Sequence, residues 1–301
     1  MTVAALFSSG VGAHWPGTVL GAASALCFAV GAVVEQEATL ASTSEGNLDL
    51  RQLVRRPAWL AGQAANAVGI VLQICALALA PVSIVQPLLA GGLVVALGIR
   101  SVKDRRWPVG RDLLGAALAA GGLAVFLAAA HPADVAQDRA PGNLAVLAAT
   151  LVALALAGLS RLAKEGRRGA LGAGLAAGIA MGIAAVLISA ALKTLSSDGL
   201  GRALTGAALW GAVVVAIGAQ IACQEAFARG SLAWSLPVLT VADPLAAVPA
   251  AWWLLHERLA PGHAAVWGTA AVVAAVGVVL LARAVEPAHP GADAGLAGRR
   301  A

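Results

Sequence analysis

Charge is what this sequence has least of. Only 12% of its 301 residues are Asp, Glu, Lys or Arg, whereas 60% are apolar. A soluble domain carries about 25% charged residues, because its surface must face water. The deficit excludes an ordinary soluble globule. Cysteine is scarce too: Cys27, Cys75 and Cys223 all fall inside apolar segments, which excludes a disulfide framework and leaves them as small core residues. The five histidines, His14, His131, His256, His263 and His289, sit at span ends, in loops or in tails, with no zinc-ligand spacing among them. There is no Walker motif, no GxGxxG after a strand, no HExxH and no DDxxD-like carboxylate cluster. These absences argue against a primary pump and against the familiar membrane phosphatases and prenyltransferases, and they give no reason to expect a cofactor.

What is present is long apolar sequence. The charges are bunched, and between them lie runs of about twenty apolar residues, the length a helix needs to cross a hydrocarbon layer about 30 Å thick. Nine spans are expected, at 16–38, 58–80, 82–99, 110–130, 143–160, 170–192, 205–227, 231–255 and 263–282. The fold class is therefore an all-α polytopic protein of a cell membrane, plasma or inner. Most spans are apolar all round, so length and bracketing charges carry the assignment rather than periodicity. Residues 1–15 lack a positively charged leader and read as an extracytoplasmic tail, while 283–301, rich in Ala, Gly, Pro and Arg, read as a disordered cytoplasmic tail.

The net charge of +5 does not imply a nucleic-acid partner, because the basic residues sit in short loops rather than on one face. With the N-terminus outside, the inside segments hold Arg51, Arg55 and Arg56, then Arg100, Lys103, Arg105, Arg106 and Arg111. They also hold Arg161, Lys164, Arg167 and Arg168, then Arg229, Arg283, Arg299 and Arg300. That is sixteen of the twenty basic residues, and only Arg139, Lys193, Arg202 and Arg258 remain outside. Cytoplasmic loops retain Lys and Arg, so the bias favours N-outside, C-inside and an odd number of spans. The eight tryptophans, at 15, 59, 107, 210, 234, 252, 253 and 267, lie near span ends or in a loop, as amphipathic indoles prefer.

Two stretches read as copies of one unit. Residues 80–130 run from the turn Ala80-Pro81-Val82-Ser83 through a span with an internal Pro, a polar loop and a Gly- and Ala-rich span. Residues 228–282 repeat that order from Ala228-Arg229-Gly230-Ser231. Leu20-Gly21-Ala22 and Leu171-Gly172-Ala173 pair the first span with the sixth, as does Gly31 with Gly182. An offset of five spans is odd, so the halves (16–130 and 143–282, joined by a loop at 131–142) point in opposite directions, four spans against five. Inverted repeats are a recurrent transporter architecture, with substrate held between the halves near the midplane.

This order of segments resembles the drug/metabolite transporter superfamily, whose common form is ten helices in two EamA-type repeats. LTVADPLAAVPAAWWLLHERL at 239–259 looks like that family's penultimate helix, ending in Glu257-Arg258-Leu259. LAPVSIVQPLLAGGLVVALGI at 79–99 is similar to the matching helix of the nine-helix branch that contains the NIPA-type magnesium transporters. The chain shares that branch's long first loop and ALAP-like turn. The resemblance implies a secondary transporter, with magnesium among its substrates. It departs at Glu35-Gln36-Glu37, where the NIPA-type proteins are expected to be basic.

Polar residues inside spans are the candidate substrate or ion site. Asp243 lies at the centre of the eighth span, where an acidic residue costs about 2.5–3.5 kcal/mol and so faces a wet cavity or a partner. Pro237, Pro244 and Pro249 on the same helix each remove a backbone donor, which suggests a kink or break with free carbonyls for a cation. Asp243 is also the candidate metal ligand. Gln63, Asn66 and Gln73 in the second span fall with Ile70 inside an arc of about 80°, suiting either small polar solutes or interhelical hydrogen bonds. Gln86 precedes Pro87, and Gln220 and Gln224 are an i, i+4 pair. Glu35 and Glu37 close the first span on different faces, as a cytoplasmic gate or as solvated helix ends. Glu225, four residues before Arg229, reads as an ion pair. Gly174, Gly178 and Gly182 form a GxxxGxxxG row expected at a close helix contact.

The reading favoured is a secondary transporter of a cation or small polar metabolite rather than an enzyme. A non-transporting scaffold and an enzyme acting on a lipid-linked substrate are the alternatives. The partners expected are the lipid bilayer and the substrate, with a homodimer left open.

Overall fold

The computed structural model describes residues 15–44, 47–80, 82–103, 105, 110–129, 142–162, 164–256 and 264–283, without the side chains of 77, 82–84, 86, 87, 128 and 264. Among these described residues ten helices follow in chain order: α1 Trp15–Leu40, α2 Leu50–Leu53, α3 Pro57–Leu79, α4 Val82–Lys103, α5 Gly110–Ala129, α6 Asn143–Ser160, α7 Arg167–Thr205, α8 Ala207–Arg229, α9 Leu232–Leu254 and α10 Ala264–Ala282. Eight of them, α1, α3 and α5 to α10, contain among the described residues a stretch long and apolar enough to cross a membrane. The chain is an all-α, multi-pass membrane protein. Its outer faces carry exposed Val68, Val71, Ile74, Leu147, Leu151 and Ile217, which only a lipid environment leaves without cost.

Helix ends follow the punctuation of the sequence. Pro57 sits in the first turn of α3, where its missing N–H is not needed. The Ser231 side chain caps α9 by accepting from the Ala233 N–H. The expected bounds hold within a few residues except in α7. There the span expected at 170–192 belongs to a 39-residue helix whose only break is Gly199, at φ 83°. The polar run after Leu192 reads as a loop by composition, yet Ser196 and Ser197 both donate to the Lys193 carbonyl and the backbone keeps turning. Trp210 Nε1 donates to the Leu204 carbonyl at 2.9 Å and ties the extension to α8.

The first loop adds what an all-helical reading omits. Two-residue strands β1, Thr43–Ser44, and β2, Asn47–Leu48, pair antiparallel. Asp49 then caps α2 by accepting from the Gln52 N–H. Leu48 and Leu53 pack on Ala38 of α1 and Ala228 of α8, so the loop lies folded over one end of the bundle.

The helices group by their neighbours. α1 packs on α3 and α4, α7 packs on α8 and α9, α6 lies against α7 and α8, and α5 runs along α10. The glycine row behaves as expected: a Cβ at Gly174 would meet the Ser235 carbonyl at 2.9 Å, and one at Gly178 the Leu239 carbonyl at 2.6 Å. Gly182 abuts the Asp243 carbonyl in the same way. Sequence reading did not find a second glycine seam, where Gly122 touches Ala274 and Gly277 touches Gly115 and Ala119 along α5 and α10. Phe126 and Trp267 close its end with an edge-to-face contact, centroids 6.4 Å apart.

One core cluster draws on both groups of helices. Ala29 and Val33 of α1 and Ala96 of α4 meet Ala177 of α7, Ala222 and Phe227 of α8 and Leu232 of α9. It lies towards the end where α1, α4 and α8 finish and α9 begins. At the opposite end Leu20 of α1 and Ala76 and Ala80 near the end of α3 share their cluster with Val85 and Leu89 of α4. Trp234, expected at a headgroup surface, is instead buried at 5% exposure, its ring against Gly230.

Candidate functional site: a caged carboxylate and an unpaired one

Four of the expected residues meet at one point. Glu35 is five residues from the end of α1, about 8 Å along the axis, and is 2% exposed. Its Oε1 accepts from Asn66 Nδ2 of α3. Its Oε2 accepts from Gln224 Nε2 of α8 at 2.7 Å and from Gln220 Nε2 at 3.4 Å. The Thr39 hydroxyl lies 2.7 Å from the Glu35 carbonyl and 2.6 Å from Gln224 Oε1, so its one proton has two acceptors. Gly31 and Gly62 make the approach of α1 to α3 possible. A Cβ at Gly31 would collide with Asn66, and one at Gly62 would stand 2.7 Å from Glu35 Cγ. No ion pair to Glu35 occurs among the described residues, and the carboxylate's partners there are three amide N–H groups. Hydrogen bonds to a charged group contribute about 1.5–3 kcal/mol each, enough to hold a buried carboxylate in place.

The neighbouring acids are used differently. Glu37, two residues on and on another face, pairs with Lys103 Nζ at 2.5 Å and lies 3.8 Å from Arg100 Nη1 of α4. Glu225 binds Arg229 Nη2 at 2.9 Å and Arg161 Nε at 3.4 Å, and both Glu225 and Arg229 are buried. That is the ion pair expected from their spacing, with α6 added as a third party.

Asp243 is the carboxylate of α9. It is partly buried midway along α9, and it makes no hydrogen bond or ion pair to a described residue. The glycine row holds α7 against its backbone. Pro244 and Pro249 interrupt the hydrogen-bond ladder by lacking an N–H, although the helix runs on without a break. Of the kink or break expected from the three prolines, no break occurs, and α7 lies against that stretch through Gly178 and Gly182.

The remaining candidates are dispersed. Gln63 and Gln73 are half-buried, and Gln63 Nε2 is enclosed without a partner. Ile70, assigned to the same arc, is 52% exposed. The buried face of α3 is instead Gly62, Gly69 and Ala76, a seven-residue spacing of small residues that the sequence did offer as a signal. The Gln86 side chain lies outside the described residues, as does Glu257-Arg258-Leu259. Sequence reasoning missed Gln36, which is 1% exposed and donates from Nε2 to the Gly230 carbonyl at 2.9 Å while its Oε1 has no partner. Nothing in its spacing marks it. Two apolar surface grooves, about 480 Å³ between α5 and α10 and about 250 Å³ between α6 and α7, touch neither carboxylate.

No family profile matches the chain, and no solved structure does. A relative in Corynebacterium glutamicum, described as an uncharacterized protein, is 27% identical over 251 residues. The match covers 78% of this chain and 83% of that protein. The two chains are similar along most of their lengths, and the relative's description brings no activity with it.

Proposed function

We propose that this chain is a secondary transporter of the drug/metabolite type, moving a cation or a small polar metabolite by alternating access. The observation that carries the reading is Asp243. A carboxylate at the middle of a membrane helix with no protein partner among the described residues marks an ion or substrate pathway more often than a fold contact. Pro244 and Pro249 leave the Thr240 and Leu245 carbonyls without helical donors nearby, oxygen ligands of the kind a desolvated cation takes.

The proposed architecture is nine spans, with α4 the ninth, in two inverted EamA-type repeats of four and five, N-terminus outside and C-terminus in the cytoplasm. Its support is the pattern of neighbours. α1 meets α3 and α4 as α7 meets α8 and α9, while α5 and α10 face each other across the dividing line. In that pairing α6 is the additional leading helix of the second half.

Flux into liposomes holding only this protein tests the reading, after a thermal-shift screen has found a substrate. Asp243→Asn keeps size and hydrogen-bonding capacity but loses the charge, so flux should vanish while the purified protein keeps its melting temperature. For magnesium, which takes one or two carboxylates and retains water, Asp243→Asn should weaken binding far more than Gln73→Ala. An organic solute held by amides reverses that order. Wild-type flux in Asp243→Asn removes the assignment.

A further inference from the structure

We propose that Glu35 and its amide partners form a proton-operated latch that closes the cytoplasmic end of the bundle. The inference rests on the two-halves reading above, because it assigns the latch to the boundary between them. Glu35 and Asn66 belong to α1 and α3, whereas Gln220 and Gln224 belong to α8. Gln36 adds a second strap to the same side by donating to the Gly230 carbonyl at the α8–α9 turn. A core cluster that draws on α1, α4, α7, α8 and α9 lies around these contacts, with Val33 two residues before Glu35 and Cys223 next to Gln224. At the far end α1 and α3 keep their buried contacts to α4. The cage is thus a tie between α1 and α8, while α4 and α5 meet α9 and α10 through clusters of their own.

The chemistry of the cage selects its ligand. Each oxygen of Glu35 faces amide N–H groups, and no group of three His, Cys, Asp or Glu able to hold a metal ion occurs among the described residues. A proton needs no more than the one carboxylate. It comes from water, binds one carboxylate oxygen and returns to water, with no other bond made or broken.

Protonation changes what the cage can do. An ionised carboxylate accepts all three N–H groups in charge-assisted bonds, which are about twice as strong as neutral ones. A protonated oxygen becomes a donor and faces the Gln224 N–H at 2.7 Å, so two donors oppose each other. The Gln224 amide then turns over. Its oxygen is free to do so because the Thr39 hydroxyl has the Glu35 carbonyl, 2.7 Å away, as its other acceptor. One neutral bond replaces a charge-assisted one, the Asn66 and Gln220 contacts weaken, and the tie between α1 and α8 loosens.

The other ionisable groups nearby are occupied or far off. Glu37 is held by Lys103 and Arg100 of α4. Glu225 and Arg229 of α8 are held by each other and by Arg161. Cys223 is the titratable neighbour on α8, Asp243 lies deeper on α9, and α3 offers only Cys75, towards its other end.

The test reads distance, not transport, and so succeeds or fails independently of flux. Spin labels at Val102→Cys on α4 and Lys164→Cys before α7, both exposed, report on opposite halves. The protein is held in lipid nanodiscs without substrate, with Cys27→Ala and Cys75→Ala. At pH 8 a single short distance is expected, and at pH 5 a second, longer population. Glu35→Gln, which carries no titratable proton, should show the longer population at both pH values. Asn66→Ala, which removes one arm of the cage, should show it already at pH 8. An unchanged wild-type distribution between pH 8 and pH 5 overturns the latch, and so does a Glu35→Gln protein that tracks wild type. Should Glu35→Gln fail to fold, the wild-type titration and Asn66→Ala decide alone.

Discussion

At the scale of single residues, the interior of this protein contains charges whose environments differ in kind. Glu225 and Arg229 are buried together, and Arg161 Nε stands 3.4 Å from the same carboxylate. Removing one partner of a buried pair leaves an uncompensated charge and costs about 3–5 kcal/mol. Arg229→Leu should therefore lower the melting temperature of the purified protein sharply. Lys103→Ala breaks the half-exposed pair with Glu37 and should cost no more than about 1 kcal/mol. Equal losses in the two variants would contradict the burial of the pair. The i, i+4 spacing announced the Glu225–Arg229 contact in the sequence. It could not announce Arg161, whose distance along the chain is bridged only by the fold. The same limit applied to the carboxylate cage. Glu35, Asn66, Gln220 and Gln224 were each recognisable as polar groups in apolar spans, but their convergence depends on how three helices rotate about their axes. Helices that are apolar all round carry no periodicity to set that rotation.

Elements show the reverse balance, because small residues declare their purpose by spacing. The row Gly174, Gly178, Gly182 was legible as a contact face, although not the helix it would meet. A Cβ at Gly178 would stand 2.6 Å from the Leu239 carbonyl and 2.7 Å from Ala242 Cβ, whereas one at Gly172 meets nothing within 4 Å. Gly178→Ala should then destabilise by about 1–3 kcal/mol, the usual cost of overpacking. Gly172→Ala should be neutral or slightly stabilising, because alanine is the better helix former. Thermal unfolding of the two variants side by side gives the comparison, and equal melting temperatures would dissolve the α7–α9 contact. The α5–α10 seam escaped notice because its small residues alternate three and four apart and mix Ala with Gly. The extension of α7 escaped for a different reason. Composition locates the membrane in a sequence well, but a helix does not have to stop where the membrane does.

For the whole molecule, the sequence settles what spans and leaves open how the spans assemble. Run length and bracketing charges located the helices, since a helix crossing hydrocarbon must be about twenty residues long whatever it packs against. The proposed orientation rests on the basic loops and can be read in cells. A membrane-impermeant maleimide added outside should label Leu200→Cys, in the exposed extension of α7, and leave Lys164→Cys, between α6 and α7, untouched until the cells are lysed. The opposite pattern would invert the topology. The seam between α5 and α10 has a consequence for movement on this scale. Gly122 and Gly277 bring two backbones into direct contact, and Gly115 lies against Gly277 and the Leu281 side chain. Surfaces interlocked so closely cannot slide lengthwise without each Cα riding over a carbonyl, but they can roll by a few degrees. In the proposed alternating-access movement the seam would serve as the fulcrum. A small tilt there is magnified with lever arm, so the widest opening falls on the helices that stand farthest from it.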